Sequence, residues 1–340
     1  MQAFAQLRFF SCVNFLKCAL THGAPQTDCA LANGYKGPTQ ELVLGHEFVG
    51  VVAHLGARVA ASHAHLLGKR VVGEINVASC HGTCAVCACG DEGLAKSHCV
   101  QRKVLGILGL NGCFAQFACL PAANLLVVPD ALRDDQAVFV EPTAAAFRIV
   151  EQLGGGGGVD GPLRCVLVMG DGKLAMLVVQ ALKTLAVQRL CVLCKHGARA
   201  ALIQAATGVD CILAAGAEAS GTQWDVVVEC TGSPMGLPLA LALVRPRGTV
   251  ILKSTCAGDS AAAAGLSLQQ QNDVVVREVR VQGSRCGPFA RALQALLSGE
   301  VAVDFIVEKR VQAEQGAAAV AAAARGGGGG GGGLKVLVEF

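Results

Sequence analysis

The chain has 340 residues, enough for about two domains. Hydrophobic residues make up 53% and charged residues 16%, which excludes wholesale disorder and allows large cores. A net charge of +3 and a pI near 8.1 are too mild for nucleic acid or an anionic bilayer as partner, and no apolar run reaches the roughly 20 residues of a membrane span.

Taken in chain order, Met1–Ala24 is the least legible stretch. It has no acid, and it carries Arg8 and Lys17. An import leader and a frayed start are both open readings there. Leu42–Val52 places Gly45, His46 and Glu47 between apolar runs that read as strand. Lys69–Gly73, Phe114–Leu120 and Leu125–Val128 read as further short strands. Between them lies a lobe with Cys80, Cys84, Cys87, Cys89 and Cys99. Many short strands and turns predict an all-β body up to this point. Asp134–Val150 reads as a helix broken early by Pro142.

From Cys165 the texture becomes strand–helix alternation. Cys165–Met169 is a short apolar strand, and Lys173–Leu185 has a helical apolar face. Gly170-Asp171-Gly172 joins them. Gly170 permits a tight turn, Gly172 leaves room for a pyrophosphate at the backbone, and Ala175 is the third small position. The amides at the start of the helix, near Lys173, would hold the anion. Further strands are expected near 190–193, 210–213, 225–229, 249–252 and 279–282, with a helix at Met235–Val244. Six strands with crossover helices predict a doubly wound parallel sheet. A helix at Pro288–Leu297, a strand at Phe305–Val307, an Ala-rich helix and a last strand at Leu334–Val338 complete the chain. The glycine tracts 154–158 and 326–333 read as flexible loops.

After the second strand of this sheet no carboxylate is present to bind ribose hydroxyls. Lys195 and Arg199 stand there instead, a pattern that favours NADP over NAD. A solvated basic loop is the bland alternative. Thr231, at the end of the fourth strand, and more weakly Thr255 and Arg285, are candidate contacts to the nicotinamide half. Seventeen cysteines, five in the lobe and many of the rest inside apolar strands, fit a reducing compartment better than a disulfide framework. A cytoplasmic location is expected, with organellar import open.

Leu44-Gly-His-Glu-Phe-Val-Gly50, the cysteine lobe, Glu141-Pro142, Gly170-Asp-Gly172 and Arg245-Pro-Arg-Gly248 together resemble the zinc-containing medium-chain alcohol and polyol dehydrogenases. The resemblance runs from about residue 25 to the end. It implies an α/β fold in which a Rossmann doubly wound parallel sheet is inserted into a partly barrel-like, β-rich (GroES-like) catalytic domain. The implied bounds are 1–142 and 285–340 for the catalytic parts and 143–284 for the NAD(P)-binding domain.

It also implies a catalytic zinc held by His46, Glu47 and Glu141, a proton relay through Thr27, and a structural zinc in the cysteine lobe. Cys84, Cys87 and Cys99 are the expected ligands of the second metal, with Cys80 or Cys89 as the fourth. The expected activity is hydride transfer between an alcohol or polyol and a nicotinamide cofactor, by a homodimer or homotetramer. One position departs from the pattern. Pro25 stands where the family has a ligand cysteine, and proline has no ligating atom. Either Glu47 or Cys29 compensates, or the site is weak, or turnover is lost. The last case is the main alternative, a nucleotide- and zinc-binding member without activity. A zinc-independent quinone or enoyl reductase is disfavoured by His46, Glu47 and the cysteine lobe.

Overall fold

The computed structural model describes residues 4–13, 42–57, 59–154, 163–214, 223–255, 266–315 and 334–339. Three sheets organise them. The first has seven strands in the order β15-β16-β1-β2-β3-β8, with β7 also paired to β1. These are β1 Phe4–Val13, β2 Phe48–Leu55, β3 Arg70–Gly73, β7 Phe117–Pro121, β8 Leu125–Val127, β15 Val307–Gln312 and β16 Lys335–Glu339. The small second sheet joins β4 Asn76–Val77, β5 Lys103–Leu105 and β6 Gly109–Leu110.

The third sheet has six strands, β9 Cys165–Met169, β10 Arg189–Cys194, β11 Asp210–Leu213, β12 Trp224–Glu229, β13 Val244–Leu252 and β14 Arg280–Gly283. All its pairings are parallel, in the order β11-β10-β9-β12-β13-β14. The order reverses between β9 and β12, and in an open α/β sheet that switch point opens the ligand crevice. The two strands at the switch point, β9 and β12, are largely buried along their length, as expected where helices cover both faces. Helices Val140–Gly154, Lys173–Leu182 and Phe289–Leu297 pack on one face. One core is common to the two large sheets. It takes Val49, Val72 and Leu337 from the first and Val166, Val168 and Val226 from the third, with Phe147 and Leu177 between. At about 25 cal/mol per Å² of apolar surface buried, such a shared core holds the crevice walls as one body.

Four expectations change. Phe4–Val13, in the stretch read as a leader or a frayed start, is a ten-residue strand inside the first sheet, paired to β2, β7 and β16. Pro142 does not break a helix. A short helix at Asp134–Ala137 ends, and a new one starts at Val140, so Pro142 falls in a first turn, where its missing N–H has no intrahelical acceptor to lose. The strand expected at 305–307 begins later. Asp304–Ile306 is a single 3-10 turn closed by Ile306 N–H on Val303 O at 2.9 Å, and the strand runs from Val307 to Gln312. The run at 42–47 is irregular chain, with strand only from Phe48. The tract at Gly326–Gly333, the Ala-rich helix and all of the first glycine tract except Gly154, which closes a helix, lie outside the described residues.

Candidate active site

One cleft of about 1150 Å³ runs between the first and third sheets. His46, Glu47, Glu141 and Lys335 line one part of it, and Gly170–Leu174 with Lys195 and Arg199 line another.

His46 is delivered by the irregular segment 42–47. That segment is tied to the chain beside it by Gly112 N–H on Val43 O (2.6 Å), Cys113 N–H on Gly45 O (2.9 Å) and Phe114 N–H on Leu44 O (3.0 Å). Gly45 has φ +98, and a Cβ there would stand 2.9 Å from Phe114, so both conformation and space demand glycine. His46 and Glu47 are both buried. Glu141 comes from the first turn of helix Val140–Gly154, where the helix dipole favours an acid. One ligand-type atom from each of His46, Glu47 and Glu141 lies within 4.8 Å of the other two. Burial pushes the Glu141 carboxyl up to about 7; neighbouring His46 lowers it and Glu47 raises it. Two carboxylates and an imidazole gathered away from water are a donor set suited to a divalent cation.

The fold adds a residue that the sequence did not point to. Lys335, the first residue of β16, makes an ion pair with Glu47 through Nζ and Oε2. The two side chains are 1% and 2% exposed, so neither charge is solvated. The Lys335 ammonium also sits 5.0 Å from the centre of the Phe139 ring. A lysine 288 residues from its acid leaves no local pattern to read.

At the other part, Gly170 has φ +119, and an added Cβ would meet Cys230 O at 3.0 Å. Gly172 has no heavy atom within 4 Å of where a Cβ would stand, and it precedes helix Lys173–Leu182 with no side chain capping the helix amides. The helix start is therefore open to an anion. Ala175 is fully buried against the sheet. Asp171 accepts from the amides of Lys195 (2.9 Å) and His196 (2.8 Å) and pairs with His196 Nδ1 (3.0 Å). It thus fixes the basic loop after β10, a role the sequence reading missed. The Thr231 hydroxyl and amide both donate to Glu229 Oε1, the amide at 2.6 Å. Thr231 lines the cleft, as do Thr255 and Arg285. Thr27, Pro25 and Cys29 lie outside the described residues.

The cysteine lobe forms a second cluster. One Sγ each from Cys80, Cys84, Cys87 and Cys99 lies within 4.8 Å of the others. The Cys84 amide donates to Cys80 Sγ (3.5 Å) and the Cys87 amide to Cys84 Sγ (3.4 Å). The Cys84 amide draws the Cys80 thiol down to about 5. Cys89 is exposed and bonds to Val86 O at 2.9 Å, outside the cluster. Between the two open choices for a fourth thiol, the geometry gathers Cys80. Four convergent sulfurs suit a closed tetrahedral metal. The four cysteines of the cluster are free thiols, as are Cys89, Cys113, Cys165 and Cys191, and no helix among the described residues is long and apolar enough to cross a membrane.

Comparison with known proteins agrees with this layout. The sequence model of the alcohol dehydrogenase GroES-like domain matches residues 19–130. The starvation-sensing protein RspB of Escherichia coli (strain K12) is 34% identical over 141 residues, 42% of this chain and 37% of that protein. The L-threonine 3-dehydrogenase of Sinorhizobium fredii (strain NBRC 101917 / NGR234) is 34% identical over 144 residues, 40% of this chain and 35% of that protein. The matched stretch thus spans little more than a third of the length of these curated relatives. A candidate zinc-binding dehydrogenase from Sinorhizobium meliloti 1021, solved with NADP bound, superposes with a TM-score of 0.79 at 21% identity, over 99% of this chain and 92% of that one. An alcohol dehydrogenase GroES-like domain is thus matched in the first half of the chain, and the fold of the whole chain is shared with a zinc-binding dehydrogenase.

Proposed function

We propose that the chain is a zinc-dependent oxidoreductase. It moves a hydride between an alcohol or polyol, or its aldehyde or ketone, and a nicotinamide cofactor, NADP in preference to NAD. The observation that carries this reading is the single cleft that holds both donor sets, His46, Glu47 and Glu141 in one part and the Gly170–Gly172 turn in another.

The chain's own residues divide the work. His46, Glu47 and Glu141 supply one nitrogen and two carboxylates, and Lys335 fixes the Glu47 carboxylate beside the other donors. Zinc held there would polarise the substrate oxygen and lower the pKa of its hydroxyl. Gly172 and the amides at the start of the helix receive the dinucleotide's pyrophosphate. Asp171 holds the loop from which Lys195 and Arg199 meet a 2′-phosphate. A nicotinamide bound in that position would accept or return the hydride. Thr27 passes the hydroxyl proton outward. Cys80, Cys84, Cys87 and Cys99 would hold a second, structural zinc. Residues 1–142 and 285–340 form the catalytic unit and 143–284 the nucleotide unit, in a cytoplasmic homodimer or homotetramer.

The test is zinc content and turnover measured on one preparation. Two zinc ions per chain, NADPH binding, and alcohol-dependent NADP reduction abolished by His46→Ala are expected, with His46→Ala keeping one zinc. One zinc in the unaltered protein with NADPH binding and no turnover would favour the inactive reading that Pro25 raises. No NADPH binding would overturn both.

A further inference from the structure

Turning an alcohol into a carbonyl releases a proton as well as a hydride. A hydroxyl such as that of Thr27 can pass a proton on but cannot keep it near neutral pH, so the cleft needs an acceptor. Most of its titratable groups have other work. His46, Glu47 and Glu141 form the donor set, and a proton on any of them would compete with a cation. Lys335 is engaged by Glu47, and Asp171 and His196 hold each other at the nucleotide turn, 3.0 Å apart. Lys173 and Lys195 belong to that turn and to the loop after β10. Guanidiniums stay charged at any working pH. Burial raises the thiols of Cys194, Cys230 and Cys286, so all three stay protonated. His98 closes helix Glu92–His98 of the cysteine lobe and leads directly into Cys99. Lys253, just past the end of β13, is left.

Lys253 stands on the β12 side of the switch point, the half of the sheet that receives a nicotinamide rather than an adenosine. Its amide donates to Glu229 O at 3.0 Å, which ties it to the end of β12. On its other side the Ser284 amide donates to Leu252 O at 2.9 Å. The side chain is half-buried and lines the cleft. Among the described residues its Nζ has two hydrogen-bond acceptors, Ser284 Oγ at 3.2 Å and Arg285 O, both uncharged. A neutral amine has two N–H groups and an ammonium three, so the remaining position is where a proton arrives or leaves. Cys230 after β12, Cys286 after β14, and Glu141 and Arg148 on helix Val140–Gly154 all face it. Burial lowers its ammonium to about 8, with Glu141 opposing and Arg148 adding to the shift. Such a group changes charge within a working pH range, which an ordinary lysine does not.

We propose that Lys253 is the proton acceptor of the reaction: as the hydride leaves for the nicotinamide, the hydroxyl proton ends on the Lys253 amine. Alcohol, oxidised nicotinamide and amine become carbonyl, reduced nicotinamide and ammonium, and the hydride carries both electrons. The ammonium then releases its proton to water. In reduction the ammonium supplies the proton to the carbonyl oxygen as the hydride arrives. This rests on the dehydrogenase reading.

Full-length, zinc-loaded protein is assayed with NADP and 1,2-propanediol, 2,3-butanediol or glycerol across neutral and alkaline pH. The kcat for oxidation should rise through about pH 8, because the amine must be neutral to accept. Lys253→Met should lower kcat about a hundredfold and remove that step from the profile, with KM for NADP within about twofold. Lys253→Arg keeps the charge but cannot release its proton, and should be as slow. Methylamine in the buffer should restore part of the rate to Lys253→Ala and none to Lys253→Arg. A further readout needs neither substrate nor metal. Acetylation of Lys253 by acetic anhydride in unaltered, zinc-free protein, read by mass spectrometry, should show a midpoint near pH 8. A midpoint near the ordinary 10.5, or a Lys253→Arg variant as fast as the unaltered protein, overturns the inference and leaves the dehydrogenase reading intact. No turnover of any of the three alcohols by protein that binds NADPH favours the inactive reading and overturns this inference with it.

Discussion

Replacing Lys335 by Met keeps the length of the side chain and its contact with Phe139 but deletes the ammonium. Glu47, 2% exposed, would then be a buried carboxylate with its lysine gone, beside Glu141. Breaking a buried pair from one side costs about 3–5 kcal/mol, against a total stability of about 5–15 kcal/mol. At about 2 °C per kcal/mol for a chain of this size, the melting temperature of metal-free protein should fall by roughly 6–10 °C. Glu47→Gln alone should also destabilise, since it strands the lysine. The double variant should recover about half of the summed loss, because neither charge then remains buried alone. Calorimetric melts of the four proteins measure the cycle. A Lys335→Met shift under about 2 °C, or two costs that simply add, would refute the claim that this pair is desolvated.

Gly172→Val should leave the melting temperature nearly unchanged, as nothing lies within 4 Å of the new Cβ, yet weaken NADPH binding more than about tenfold by fluorescence titration. Gly170→Ala should instead cost about 1–3 kcal/mol, because φ +119 is a glycine conformation. Cys80→Ser should remove about one zinc per chain by atomic absorption and open the lobe to proteases, whereas Cys89→Ser should keep the metal. Burial lowers the Lys253 ammonium to about 8 from its ordinary 10.5. The unfolded chain therefore binds more protons between those values, so this residue makes folding stability rise with pH from about 8 to 10.5, and the gain is lost as pH falls back to about 8. Urea melts of Lys253→Met against the unaltered protein should show the variant lacking that part of the rise.

Local pattern carried the parallel sheet well. The six strands fell where short β-branched runs stood, within a few residues, because a strand covered on both faces must be apolar throughout and a glycine turn marks its end. β13 alone extends well upstream, taking in Arg245-Pro-Arg-Gly248, which breaks its apolar run. His46 was favoured by Gly45 and Glu47 beside it, Glu141 was implied by the resemblance, and the fold draws the three together. What stayed hidden depends on distance along the chain. Lys335, Lys253 and the loop-holding role of Asp171 act on partners supplied by other elements, and nothing beside them in sequence announces it. Phe4–Val13 was illegible for a like reason. Its pairing partners, β2, β7 and β16, are supplied by later parts of the chain.

The pairing of Glu47 with Lys335 also sets an order of assembly. A ribosome adds about 5–20 residues per second, so the 288 residues between them take roughly fifteen to sixty seconds to emerge. The parallel sheet from Cys165 to Gly283 is complete before the lysine exists. Until then the acid must stay protonated, wet or shielded by a helper, and the first sheet can close over it only once β16 arrives. A nascent chain of this protein should therefore mature from its middle outward.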